Sequence, residues 1–513
     1  MKRKYLFNTK QVLLTVVIAA VSLSGCKKFL DVNTNPNSPD SAAPNLLLPA
    51  SQAATGQIMG NFFQINGNIW AQYWTQNPTS SQYRTVDQYN PAATASDRAW
   101  NILYRGALVN ADLITKSNDA GIAYTRGIAH LMKAYTLQVT TDAFGDVPVK
   151  EALQSELFRN PHYDAQSVVY DSVFYNIDRG LALMNASASA SPGAQDLVFS
   201  GSVANWKAFA NTLRLKAGLR LAYIDAVKAK AQVQAAYTAA AVTTGGVTTY
   251  SFLTVDASIK YLSTGGNENP LYNEMVGLNR VQNIVASTTA VAQFDANSDP
   301  RVAKFYDLLP VDATAKTDRS IAQGTYAAGA NNGKTVSPPS PLVGGRASNS
   351  ASATAPVKFI SAAESWFLQA EAVARNWAPA GQVLATLYTN GVRASFTSVG
   401  LTAGDADTYL GVAGNVTQFV TPLTIGTEED KIKSIITQKY FAMCGFQGFE
   451  AWTEWRRTGY PTFFVKSAAS VIGGVRMPLR MLYPATESTT NTNYPGLKVI
   501  YAPVWWDTKH PLL

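Results

Sequence analysis

Cysteine and histidine are nearly missing from this chain: 513 residues hold Cys26 and Cys444, and His130, His162 and His510. Two thiols cannot make a disulfide framework, and histidines with no neighbour at ligand spacing exclude the usual zinc arrangements. Charge is also scarce, at 15% of residues, and from Ser41 to Tyr83 there is none. No apolar run reaches the roughly 20 residues that a helix needs to cross a bilayer. Catalytic signatures are absent too: there is no G-x-S-x-G, no H-E-x-x-H and no phosphate-binding glycine loop.

What is present begins with an export signal. Lys2, Arg3, Lys4 and Lys10 form a basic head, "VLLTVVIAAV" a short apolar middle, and "LSGC" a small-residue exit that matches the bacterial lipobox. The expected boundaries are a signal peptide over 1–25, a lipid-bearing Cys26 opening a tether over 26–45, and a folded body over 46–513. Cleavage removes four of 42 basic residues, leaving 38 against 34 acidic ones, or +4. That balance does not argue for nucleic acid. With Cys26 acylated, Cys444 has no partner and is expected to be a buried thiol.

Beyond the tether the periodicity is helical. Tyr124, Ile128, Leu131, Tyr135 and Val139 step by four, three, four and four, and Gly145 and Pro148 close the segment. "NWKAFANTLRLKAGLRLAY" repeats the pattern through Trp206, Ala210, Leu213, Ala217 and Leu221, with Lys207, Arg214, Lys216 and Arg220 at other positions. "FISAAESWFLQAEAVARNW" presents Ile360, Ala363, Phe367, Ala370, Ala374 and Trp377, its alanines allowing close helix approach. "TEED" at 427–430 is a capping-box pattern opening a helix through Ile432, Ile436, Tyr440 and Met443. The fold class expected is all-α, with tetratricopeptide-like hairpins and an irregular, loop-rich lobe. Residues 312–358, dominated by small and polar types, read as a long surface excursion.

The uncharged stretch supplies the candidate binding residues. Flat aromatics among amides suit neutral, hydroxyl-rich ligands, because sugar rings stack on aromatic faces while amides hydrogen-bond hydroxyls. Trp70, Trp74, Asn77 and Tyr83 are the candidates there, and "GGNENPLYNEM" adds Asn269 and Tyr272. "GFEAWTEWRRTGYP" places Glu450 and Glu454 four apart on one helical face, a position in which a glycosidase-type acid and base is conceivable. Arg456 and Arg457 beside them hold carboxylates ionised, so a structural ion-pair network is the better reading. Glu364 and Glu371 fit a solvated or salt-bridged edge. Asp142 and Asp146 in "DAFGDVP" fit a helix stop without metal. No catalytic residue, metal or cofactor is expected.

Seven strings in order resemble the SusD/RagB family of surface nutrient-binding lipoproteins of Bacteroidota. They are "CKKFLDVNTNPNSP", "AYTLQVTTDAFGDVPVKEAL", "NWKAFANTLRLKAGLRLA", "DPRV", "ESWFLQAEAVARNW", "LYTNGVRASF" and "ITQKYFAMCGFQGFEAWTEWRRTGYP". The resemblance implies about four helical hairpins and a non-catalytic protein lipid-anchored at the outer membrane. It also implies a SusC-like TonB-dependent transporter as partner and a glycan, or sometimes a peptide, as ligand. It assigns no ligand residue. Lys27 and Lys28 depart from the acids often found after the cysteine in exported members. A surface glycosidase, or a peptide-binding or structural lid, are the alternatives. Cys26→Ala is expected to move the protein out of the membrane fraction, checked by fractionation and immunoblotting.

Overall fold

The computed structural model describes residues 43–154, 157–186 and 189–511. The signal peptide, Cys26 and most of the tether lie outside the described residues. Residues 44–513 cluster as one unit. The first helix, α1 (Pro44–Met59), starts within the last residues assigned to the tether, and α2 (Phe62–Trp70) follows it. A π-helical segment, Ile102–Leu108, leads into α3 (Val109–Thr115), and both pack on α1.

Four helix pairs then build the scaffold. They are α4 (Ala123–Phe144) with α5 (Gln166–Ala186), and α6 (Val203–Arg220) with α7 (Ala226–Ala240). After α8 (Pro270–Gly277) come α9 (Ala362–Ala374) with α10 (Leu384–Ser398), and α11 (Glu428–Met443) with α12 (Gly448–Thr458). The architecture is the expected tetratricopeptide-like, predominantly α-helical one. Local chemistry sets its boundaries. α4 stops where Gly145 takes φ +85°. At α11 the Thr427 hydroxyl accepts from the Asp430 amide at 3.2 Å while the Asp430 carboxylate accepts from the Thr427 amide at 3.0 Å. A capping box of this kind satisfies two orphan donors at once.

The described residues also hold four two-stranded sheets. One pairs β1 (Trp74–Gln76) antiparallel with a strand over Ile284–Ala286, Trp74 lying opposite Ala286. Residues 312–358 are irregular, as expected, but they are not simply superficial: Ile321, Tyr326 and Val336 pack with Val285 in a small hydrophobic cluster. The stretch therefore forms part of the loop-rich lobe's own core.

Two helix crossings are close enough to require glycine. A Cβ on Gly127 would stand 3.1 Å from the Gly180 carbonyl oxygen, which brings α4 and α5 together. A Cβ on Gly67 would stand 2.2 Å from the Phe449 amide nitrogen, and one on Gly448 2.5 Å from that of Asn68. At this second crossing α2 and α12 touch backbone to backbone. Phe63 stacks on Phe449 at 4.4 Å and Trp70 meets Trp452 at 4.8 Å to either side.

The expected apolar faces are buried, but so are charges the periodicity put elsewhere. Lys216 and Arg220 of α6 are as inaccessible as Leu213 and Ala217. They meet carboxylates: Lys216 lies 3.0 Å from Glu364 and 2.9 Å from Glu450. Arg220 pairs with Glu450, Glu454 and Asp142. Lys439 stands 3.6 Å from both Glu364 and Glu454. Arg457 binds Glu371 through two hydrogen bonds of 2.7 Å and Glu454 at 2.5 Å, and Arg375 closes on Glu371 at 2.9 Å. Glu364 and Glu371 are thus salt-bridged, one of the two arrangements expected, but inside a buried network and not at an edge. Arg456 plays a different part: it donates to the Asp142 and Leu479 carbonyls and stacks on Trp452.

Burial alone would raise the Glu450, Glu454 and Glu371 pKa values, but the surrounding cations outweigh it and hold all three below the usual range. At Asp142 burial wins over Arg220 and the pKa rises. A depressed folded pKa gives stability that is present above the ordinary glutamate range and is lost as pH falls below about 4. Asp142 carries the opposite sign and offsets part of that loss. Acid unfolding followed by circular dichroism should show the main decline there. Glu454→Gln leaves Lys439, Arg220 and Arg457 undercompensated and is expected to cost about 3–5 kcal/mol in urea unfolding.

Candidate functional site

The two strings singled out in the sequence meet in space where Tyr83 reaches Glu274, two residues beyond Tyr272. Most of their named side chains are turned inward. Trp70 donates its indole N–H to the Val86 carbonyl at 3.1 Å beneath Trp452. Trp74 is fully buried in the β1 pairing. Asn77 donates to the Gln282 carbonyl at 2.7 Å and accepts from the Thr79 amide at 3.1 Å, building the turn that follows β1.

Asn269 is the N-cap of α8, accepting from the Leu271 and Tyr272 amides at 2.9 and 3.2 Å. The Tyr272 hydroxyl accepts from Arg280 at 2.7 Å, and its ring is 5% exposed. These five residues have packing, turn and capping work. An uncharged, amide-rich segment can be spent on its own backbone as readily as on a ligand. Gln64 shows this, donating to the Gly445 carbonyl at 2.7 Å, as does Gln72, whose side-chain oxygen accepts from the Val465 amide at 3.1 Å.

Tyr83 is different. It forms part of the wall of a cleft of about 280 Å³ together with Gln57, Asn61, Phe62, Asn66, Gln82, Arg98 and Glu274. The Tyr83 hydroxyl donates to one Glu274 oxygen at 2.7 Å, and Asn61 donates its amide to the other. Burial first, and then the Glu274 charge, push the Tyr83 phenol above its ordinary pKa, so it remains a neutral donor. The side chains of Gln57, Gln82 and Arg98 make no hydrogen bond or ion pair with other described residues. The cleft therefore offers an aromatic and apolar floor, a fixed hydroxyl–carboxylate pair, and free amide and guanidinium groups around its rim. Glu274, Asn61 and Arg98 are not singled out by the sequence, since each becomes visible only when α1, α2 and α8 are brought together.

Other candidates are accounted for elsewhere. Glu450 and Glu454 are buried in the ion network and line none of the cavities described. Cys444 is buried beside the Tyr306 hydroxyl at 3.3 Å, and burial raises its pKa, which fits the expected inert thiol. Among the described residues no group of three or more potential ligands could hold a metal ion, and no helix is long and apolar enough to cross a membrane.

A family model for SusD-like proteins, described as starch-binding and associating with the outer membrane, matches residues 36–484. The chain belongs to the SusD-like family. Membership makes it a binding protein and not an enzyme, lipid-anchored at the outer membrane and surface-exposed, with a SusC-type TonB-dependent transporter as partner.

Several solved structures share the SusD-like fold. A chitin-binding protein is 24% identical, with a TM-score of 0.73 over 91% of this chain and 100% of its own. A chitin-binding SusD homologue from Flavobacterium johnsoniae is 22% identical, with a TM-score of 0.70 over 91% and 98%. A SusD homologue from Bacteroides uniformis is 23% identical, with a TM-score of 0.73 over 91% and 100%. At these identities the likeness establishes the fold. No curated protein sequence matches the chain.

The inward placement of Trp74 gives a direct test. Trp74→Ala opens a cavity under the loop lobe and is expected to lower stability by about 3–5 kcal/mol, measured by denaturant unfolding.

Proposed function

We propose that the cleft between α2 and α8 is where this SusD-like protein takes up a neutral oligosaccharide before passing it to its transporter. The observation that carries the reading is the Tyr83–Glu274 hydrogen bond at 2.7 Å. It locks together two segments 191 residues apart and leaves Phe62, Gln57, Gln82 and Arg98 facing one opening. A ring can rest against the Phe62 and Tyr83 side while its hydroxyls meet amide and guanidinium donors, and the Glu274 carboxylate accepts from them. No bond need be broken, and affinity comes from a largely preformed surface.

The chitin named for two of the related structures and the starch in the family's description define the first glycans to try. Chitin and starch fragments, with other plant and microbial glycans, can be screened on an array and then titrated calorimetrically. Tyr83→Ala together with Phe62→Ala is expected to weaken binding of the best ligand about tenfold or more, with the urea midpoint monitored in parallel. Unchanged affinity in a folded double variant would move the site away from this cleft. Binding of peptides and of no glycan would favour a peptide ligand instead.

A further inference from the structure

The cleft is small for an oligosaccharide, at the lower end of ligand-pocket sizes, and it does not end blindly. Arg98 of its rim also lines a second cavity of about 570 Å³, with Trp100, Tyr104 and Arg105. Tyr104 and Arg105 in turn line a third cavity of about 910 Å³, which reaches Leu113 and Lys116. The three spaces therefore follow one another along residues 97–116. At 1.5 Å per residue that stretch is about 30 Å long.

Each junction carries the same chemistry. Arg98 and Arg105 are seven residues apart, about 10 Å along the helix axis, roughly the length of two sugar rings in a chain. Both are exposed, and neither forms a hydrogen bond or ion pair with another described residue. Between them Tyr104 is half-buried and backed by Trp100 at 4.8 Å, its hydroxyl tied to the Pro148 carbonyl at 2.9 Å. A tethered, backed ring of this kind is a stacking platform held in place in advance.

Two of the three carboxylates of these walls are held by neighbouring side chains, while Asp97 accepts only from the Thr486 amide at 3.5 Å. Asp112 is bridged by Lys116 at 2.7 Å and by Lys133, and Glu487 accepts from Tyr163 at 2.6 Å. The walls of these two cavities carry Arg98, Arg105 and Lys116 against Asp97, Asp112 and Glu487, so their formal charges cancel and do not select an ionised ligand. The π-helical segment Ile102–Leu108 supplies Tyr104 and Arg105, and such segments are uncommon and concentrate at functional sites.

We infer that the cleft and the two cavities form one groove that holds an extended, uncharged oligosaccharide of several units. Arg98 and Arg105 act as forked donors at the boundaries between subsites, and Tyr104 is the central platform. This rests on the reading of the Tyr83–Glu274 cleft as a glycan site, and adds that the ligand is long.

The test is calorimetric titration of the protein with neutral oligosaccharides of two, four, six and eight units, taken from starch, chitin, xylan and β-glucan. At least one series should bind with affinity rising about tenfold or more between two and six units. In that series Arg105→Ala should abolish the gain from added length. Equal affinity at all lengths, or an Arg105→Ala variant that keeps the full gain, overturns the groove and leaves the cleft standing. Absence of binding in every series overturns both.

Discussion

Five carboxylates and five cations are sealed inside a helical body: Asp142, Glu364, Glu371, Glu450 and Glu454 against Lys216, Arg220, Arg375, Lys439 and Arg457. Removing charge from water is so costly that each group must find its counter-charge within the protein. The partners come from α4, α6, α9, α11 and α12, with Arg375 at the end of α9, so no one of these helices can slide without stranding an ion. A purely apolar core of the same volume could be as stable, but it would tolerate more than one register. The network ties at least one helix of every pair to the others, and α2 is in turn seated on α12.

The loop-rich lobe obeys a different rule. Its short strands and turns pair part of the backbone, and side chains satisfy much of the rest. Asp87, buried without a cation, accepts from the Gln76 amide at 2.9 Å, from Gln323 at 2.7 Å and from Thr75 at 2.5 Å. Burial raises its pKa against those hydrogen bonds. The lobe is thus held by amides and hydroxyls where the scaffold is held by ions, and the cleft opens where α2 and α8 bring the two together.

This contrast decides what could be read from the chain alone. Helices with a four-three step were legible because burial of Ile128, Leu131 and Tyr135 is a local property of a 3.6-residue period. The capping box at Thr427 and the stop at Gly145 were legible for the same reason. The burial of Lys216 and Arg220 was not legible, because their neutralising partners are up to 234 residues away and leave no local trace. The binding candidates show how one chemistry serves two ends. Trp70, Trp74, Asn77, Asn269 and Tyr272 have the right chemistry for a sugar, but that chemistry also closes turns, caps helices and fills cores. Tyr83 stayed at the cleft because its hydroxyl found Glu274, a residue its own segment does not contain.

The Gly67–Gly448 contact joins these themes. It presses α2 onto α12, and α2 also presents Phe62 and Asn66 to the cleft, so one wall of the opening is mounted directly on the ionic core. A wall so mounted has little freedom to lose when a ligand arrives, which keeps the entropic cost of capture low. It also has little freedom to rearrange for release.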